Sequence, residues 1–347
     1  MRVNGKRYFL CLIPALFLLA LCGCGKSAES AEHSFFALDT YITMQATGPD
    51  AEAVLKAAEE QMQARERQWS VTNPDSEIYS INHSDGNIIE VSLDTAKIIQ
   101  FALDMSAQTD GALDPTIYPV LTAWGFTTGS YQVPDQDTID ELLSAVDYRN
   151  IHLKDSSVTI EDGVQIDLGA VAKGYIGDEV ADLLREQGVT SALINLGGNV
   201  QTIGTKPDGS LWRIGVRNPF ADGNLGVLQV EDMAVVTSGG YERYFTDEAG
   251  NTYWHIIDPK TGYPADSGLV SVTVAASEGK RCDALSTALF VMGPEQAADY
   301  WRSCGDFEML LVLADGDIWL TDGLNNTFTL SEKDTNREVT VIRHETK

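Results

Sequence analysis

Cysteine is scarce in this chain and poorly placed for cross-linking. Three of its five cysteines, Cys11, Cys22 and Cys24, fall at the start, leaving only Cys282 and Cys304 for the body. That excludes a disulfide scaffold; a single bridge between those two, or two separate thiols, both stay open. Positive charge is scarce as well: 24 Lys and Arg stand against 51 Asp and Glu, for a formal net charge of -27. Such a field argues against nucleic acid as a partner. It does not exclude a small anion, because salt screens the global field beyond about 8 Å while a cation about 4 Å away contributes about 4 kcal/mol at an effective dielectric of about 20. An anionic ligand would need its cation at the site. The chain also lacks G-x-x-x-x-G-K-[ST], a G-x-G-x-x-G after a strand, His/Cys clusters at zinc spacing and repeats of solenoid or propeller period. Walker, Rossmann and zinc chemistry are therefore unsupported.

Long apolar runs are missing except for Tyr8–Leu21, which follows Arg2, Lys6 and Arg7. The run is shorter than the roughly 20 residues needed to span a bilayer and has the layout of a secretory signal. It ends in Leu21-Cys22-Gly23-Cys24. A small residue directly before a cysteine there resembles a bacterial lipobox, which implies a signal over residues 1–23 and lipidation at Cys24; an uncleaved hydrophobic anchor is the alternative. Either arrangement places the body outside the cytoplasm, anchored to the membrane surface. Losing the three basic residues with the signal takes the net charge from -27 to -30. Residues 24–34 are small and polar and read as a tether. With 44% hydrophobic and 22% charged residues, residues 35–343 suit one large domain or two intimately packed units around a sizeable core.

The stretch Gln165–Tyr175 carries the first sign of chemistry. Ile166 and Leu168 alternate as in a strand, and Ala172, Ile176, Val180, Leu183 and Leu184 then recur at helical spacing. The corner between them sits at a helix N-terminus, where free N–H groups and the dipole favour an anion. Asp167 and Lys173 flank it, and the ammonium supplies a point charge for phosphate. An ordinary turn with a solvated lysine is the plainer reading of the same residues.

Elsewhere, Phe35–Thr47 reads as a first strand, and helices are expected from Pro49-Asp50 to Trp69, after Ser76, from Ser92 to Gln108, from Asp135 to Val146 and from Glu278 to Met292. Residues 109–126 hold two prolines and two glycines among large apolar residues, which suggests an irregular, well-packed loop. Strands outnumber crossover helices after residue 190, so a mixed, largely antiparallel α+β body with helices flanking its sheets is expected. The polar end should fray. Within the helix after Glu278, Asp283 and Thr287 stand at i and i+4, sharing a face about 6 Å apart. A carboxylate and a hydroxyl completed by a carbonyl suit Mg²⁺; a capping Asp with a back-bonding Thr is the plainer alternative.

Taken in order, Asp167-Leu168-Gly169-Ala170-Val171-Ala172-Lys173-Gly174-Tyr175, Asn195-Leu196-Gly197-Gly198-Asn199, Thr237–Phe245, His255–Pro264 and Asp283-Ala284-Leu285-Ser286-Thr287 resemble the ApbE family of FAD:protein FMN transferases, as do Gly111–Thr116 and Trp124-Gly125-Phe126. The resemblance implies an ApbE-like fold and an enzyme that uses Mg²⁺ and FAD. It would leave FMN on a Thr or Ser hydroxyl of an extracytoplasmic flavoprotein and release AMP. It also implies metal ligation by the Ala170 carbonyl, Asp283 and Thr287 with Ser286 nearby. Contacts to FAD would come from Asp167, Lys173, Ala112, Leu113, Asp114, Tyr79 and the backbone at Ile257, with His255 as the base. For His255, a packed strand histidine is the plainer reading. Cys282 stands where the family usually has a small residue, and Leu113 and Tyr118 are substitutions in a variable loop. No acceptor pattern of Asp-Gly-x-[Ser/Thr] occurs in the chain; Asp110–Leu113 and Asp208–Leu211 miss it. The acceptor is thus expected to be a separate protein, of a membrane redox complex. Two alternatives share the pocket: a Mg²⁺-dependent FAD pyrophosphatase, and a non-catalytic flavin-binding lipoprotein.

Overall fold

The structure, a computed structural model, describes residues 29–344. The expected signal, Cys24 and the start of the tether lie outside the described residues. Strands β1 (Glu29–Ala37) and β2 (Thr40–Gly48) form a hairpin in full register, turned by Leu38 and Asp39 at φ 54° and 56°, as primed two-residue turns require. One strand was expected over residues 35–47 and a tether up to residue 34. The left-handed pair at 38–39 splits that strand, and residues 29–34 belong to β1 because β2 offers them a ladder.

Helix α1 (Ala51–Trp69) lays Val54, Leu55, Ala58 and Met62 against this hairpin. Helix α2 (Glu77–Asn82) is capped by Ser76, whose Oγ accepts from the Ile78 and Tyr79 N–H groups. After β3 (Ile89–Glu90), helix α3 (Leu93–Gln108) starts at the Ser92 cap. The segment expected to be an irregular loop contains helix α4 (Tyr118–Ala123), with Pro119 in its first turn, where a proline removes no intrahelical hydrogen bond. Then come α5 (Gln136–Leu143), β4 (Ile151–Lys154), β5 (Ser157–Ile160) and α6 (Ala172–Glu186).

The rest is mostly strand: β6 (Ser191–Leu196), β7 (Asn199–Ile203), β8 (Trp212–Arg217), β9 (Asn224–Val230), β10 (Ala234–Gly239), β11 (Tyr244–Thr246), β12 (Thr252–Trp254) and β13 (Leu269–Ala276). Helices α7 (Gly279–Met292) and α8 (Pro294–Cys304) precede β14 (Glu308–Leu313) and β15 (Ile318–Thr321). The end expected to fray adds β16 (Phe328–Leu330), paired with β9, and β17 (Val339–Ile342), parallel to β15.

A nine-stranded sheet, ordered β1-β2-β6-β7-β10-β13-β14-β15-β17, organises the molecule. It is antiparallel but for its last pair, which gives the expected α+β class. Helices α1, α6 and α7 cover one face, and the main core lies between. The three-stranded sheet β16-β9-β8 covers part of the other face over Val200, Ile214, Leu228 and Val235. A third cluster around Trp124, Phe126, Ile139 and Ile257 lies beside the β11–β12 hairpin. Among the described residues, no helix is long and apolar enough to cross a membrane.

Candidate functional site

The corner before α6 is extended but belongs to no sheet. The carboxamide of buried Asn82 accepts from the Ile166 N–H at 2.7 Å and donates to the Ile166 carbonyl at 2.9 Å. The Asp167 N–H donates to the Pro115 carbonyl at 2.8 Å. An asparagine and a loop thus do the work of the neighbouring strand that the alternation at Ile166 and Leu168 suggested. Asp167 then turns its carboxylate back to accept the Gly169 N–H at 2.7 Å.

Helices α6 and α7 meet where glycine allows it. A Cβ on Gly174 would stand 2.2 Å from the Gly279 carbonyl oxygen and 2.6 Å from the Asp283 Cβ. In that close contact the Gly174 N–H donates to the Asp283 carboxylate at 2.8 Å and makes no bond to the Ala170 carbonyl four residues earlier. The Gly174 carbonyl accepts from the Gln201 side chain at 3.2 Å. Asp178, one turn on, accepts the Gly279 and Lys280 N–H groups at 2.6 and 2.9 Å, so α6 caps the N-terminus of α7. Burial pushes the Asp178 carboxyl up to about 6.

Around Asp283 the donors are oxygen. Ser286 Oγ donates to the Asp283 carbonyl at 2.9 Å and lies 2.8 Å from the Ser238 hydroxyl, which is also 3.4 Å from Thr287 Oγ1. Asn199 on β7 is 2% exposed; its side-chain amide beside Asp283 helps keep that carboxylate ionised, and its Oδ1 has no hydrogen-bond partner. A buried amide oxygen left unpaired costs about 1–3 kcal/mol. That oxygen, beside a carboxylate, is what a bound group would satisfy. Among the described residues no three His, Cys, Asp or Glu gather as a metal cage. A set of one carboxylate, carbonyl and hydroxyl oxygens fits Mg²⁺ held jointly with substrate phosphates; the structure gathers Asp283, Ser286 and Thr287 around Ser238, and the Ala170 carbonyl on the approach to α6 is the carbonyl the sequence pointed to.

Lys173 is the electrostatic centre of this region. Its charge favours the ionised forms of Asp167, Asp283 and Glu242 and disfavours protonated His255. Burial outweighs that help for the carboxyls: Asp167 and Asp283 are raised, and Glu242 is pushed up to about 7. Burial, with the positive charges of Arg243 and Lys173, pushes the His255 imidazole down to about 4. His255 Nδ1 stands 3.2 Å from the Arg243 carbonyl. A carbonyl only accepts, so Nδ1 carries the proton and Nε2 keeps its lone pair. His255 lies just past the end of β12, in a bend and not in the strand its sequence suggested, and the Ile257 bridge to Pro264 follows.

The other expected FAD residues are placed less directly. Ala112 and Leu113 are buried. Both Asp114 oxygens are engaged within the chain, by the Thr116 N–H and hydroxyl and by the Tyr148 N–H. Tyr79 stacks on His83 at 3.8 Å, and Ile257 joins the third apolar cluster. Cys282 is buried, Cys304 is exposed, and both are free. Sequence reasoning missed the Asn199 side chain, Glu242, Arg243 and Gln201, and the capping role of Asp178. Gly174, Gly177 and Gly279 were the available signal, since small residues one turn apart mark a close helix approach.

Comparisons place this geometry among known proteins. A family model described as the ApbE family matches residues 38–311. The chain is 39% identical over 217 residues to an FAD:protein FMN transferase of Klebsiella pneumoniae, covering 61% of this chain and 66% of that one. It is 34% identical over 236 residues to one of Treponema pallidum, covering 62% and 65%. The match thus spans about two thirds of each relative's length. Among solved structures, the ApbE protein of Thermotoga maritima superposes with a TM-score of 0.81 at 33% identity, covering 86% of this chain and 99% of that one. The flavin transferase ApbE of Vibrio cholerae gives 0.78 at 25% identity, covering 86% and 99%.

Proposed function

Because the chain belongs to the ApbE family, we propose that it moves FMN from FAD to a Thr or Ser hydroxyl of a separate flavoprotein, forming a phosphoester and releasing AMP. The observation that carries this reading is the α6–α7 junction. There Gly174 gives its N–H to Asp283, the Ala170 carbonyl is left without that bond, and Lys173 stands between them in sequence.

In the reaction, the acceptor oxygen attacks the FMN-side phosphorus of the FAD pyrophosphate. The bond from that phosphorus to the bridging oxygen breaks, and AMP leaves with the electron pair. Mg²⁺ held by Asp283, the Ala170 carbonyl, Thr287 and Ser286 would neutralise pyrophosphate charge. Lys173 adds a fixed positive charge for the same anion. His255, neutral and with a free Nε2 lone pair, takes the acceptor proton, a role typically worth about 10² to 10⁴ in rate. Asp167 can only accept while ionised, so it suits a hydroxyl or amine of FAD better than a phosphate.

The test is to incubate the protein with FAD, Mg²⁺ and a threonine-containing flavoprotein domain and to read intact masses. An FMN adduct with AMP release supports the reading. AMP without an adduct means that water replaces the hydroxyl, and intact FAD overturns both. The same proposal places the domain outside the cytoplasm, anchored to the bacterial membrane through lipidated Cys24. Fatty-acid labelling that persists in Cys24→Ala would contradict it.

A further inference from the structure

Strand β8 is the free edge of its sheet. Among the described residues it pairs only with β9, burying Trp212, Ile214 and Val216 and exposing Arg213, Gly215 and Arg217. Along this edge runs a groove of about 390 Å³, bounded across from β8 by Gly198 of the β6–β7 turn and by Tyr241 and Glu242 after β10. The groove adjoins the site just described: the charges of Lys173, Arg217 and Asp283 all act on Glu242, and Gly198 directly precedes Asn199, which meets Asp283.

Its two arginines lack partners. Among the described residues, no carboxylate lies within 4.0 Å of Arg213 or Arg217, and Arg217 instead lies over the Tyr241 ring at 5.1 Å. In a chain with 51 acidic residues against 24 basic ones, two arginines without a carboxylate, on one edge strand, are a recognition feature. An unpaired edge offers main-chain donors and acceptors to an extended segment. Four residues of strand separate the two arginines by about 13 Å, so acidic side chains four residues apart on an added strand would meet both.

We propose that this groove docks the acceptor protein, taking an extended acidic segment beside β8 and so delivering the acceptor hydroxyl to the transfer site. The inference rests on the proposed FMN transfer and names the part of the protein that selects its second substrate.

The experiment compares the whole protein with its Arg213→Glu variant. The substrate is a synthetic peptide with one threonine in an Asp-Gly-x-Thr pattern and, outside it, two aspartates four residues apart; a second peptide carries lysines in place of those two aspartates. FMN transfer is followed by mass and FAD affinity by flavin fluorescence. The expected result is a KM for the acidic peptide raised by about tenfold or more in Arg213→Glu, with kcat and FAD affinity unchanged. Arg213→Lys should recover part of the loss, and the lysine peptide should prefer Arg213→Glu. An unchanged KM with normal wild-type transfer overturns the docking groove alone. Weakened FAD binding in Arg213→Glu also overturns it, by assigning the groove to FAD. No transfer of any peptide by the wild-type protein, whose FAD stays intact, overturns the groove together with the transferase reading.

Discussion

Replacing Gly174 by alanine would disturb the α6–α7 junction with one methyl group. The new Cβ would stand 2.2 Å from the Gly279 carbonyl oxygen and 2.6 Å from the Asp283 Cβ, where ordinary contact begins at 3.4 Å. The first of these is backbone, so it cannot swing aside, and α7 must retreat from α6 by about an ångström. Overpacking of this kind costs about 1–3 kcal/mol, against a gain of about 0.5–1 kcal/mol for alanine over glycine inside a helix. The fold should survive, with a modest fall in melting temperature. The larger effect is on chemistry: the retreat carries Asp283 away from the Gly174 N–H and Lys173, and a misplacement of about 1 Å can cost about 10²-fold in rate. Gly177→Ala provides the contrast, because its Cβ would meet the end of the Gln201 side chain, which can shift. The assay is AMP release from FAD beside a thermal melt. A Gly174→Ala protein with wild-type turnover, or one no worse than Gly177→Ala, would refute the claim that this contact sets the site.

Other expectations follow from single residues. His255→Asn should lower FMN transfer by about 10² to 10⁴ while sparing FAD affinity, measured by fluorescence titration; equal loss of both would make His255 a binding residue. Its folded value near 4 lies below the usual 6.5, so the unfolded chain protonates first. The resulting stability is full above about pH 6.5 and lost as the pH falls toward 4. Denaturant titrations of His255→Asn should lack that slope. Asp178 has the opposite sign: its carboxyl is raised from 3.8 to about 6, so the folded state holds the proton longer and stability falls as pH rises across that window. Asp178→Asn should therefore match the wild-type protein best at low pH and gain on it by pH 7. Asn199→Ala, which removes an amide oxygen with no internal partner and the amide beside Asp283, should cost little stability but weaken Mg²⁺ binding in calorimetry. A large stability loss with unchanged Mg²⁺ binding would make Asn199 structural.

Much of the fold is legible because local chemistry and tertiary structure agree. Ser76, Ser92 and Asp135 each cap the helix that follows them, and Val54, Leu55, Ala58 and Met62 mark a buried helix face. Legibility fails where a distant partner decides the conformation. Residues 29–34 look like a polar tether until β2 pairs with them. Ile166 and Leu168 alternate like a strand, but the Asn82 side chain, 84 positions away, supplies their hydrogen bonds. The site divides the same way. Asp283, Thr287, Lys173 and Ala170 could be named from motif order, and the structure packs α6 on α7 so that Lys173 and the Gly174 N–H meet Asp283. Glu242, Arg243 and the Asn199 carboxamide are not legible, because nothing local shows that Glu242 faces Lys173, Arg243 faces Asp167 and His255, or Asn199 meets Asp283. Asp114 shows the converse, since a carboxylate suited to a ligand is engaged by its own loop.

The most direct test of the central claim is a calorimetric Mg²⁺ titration of FAD-loaded protein and of its Asp283→Asn variant, which keeps the shape and removes the charge. The account predicts Mg²⁺ binding and FAD cleavage in the first and loss of both in the second, with the fold intact by circular dichroism. An Asp283→Asn protein that binds Mg²⁺ as tightly and cleaves FAD as fast would place the chemistry away from the α6–α7 junction.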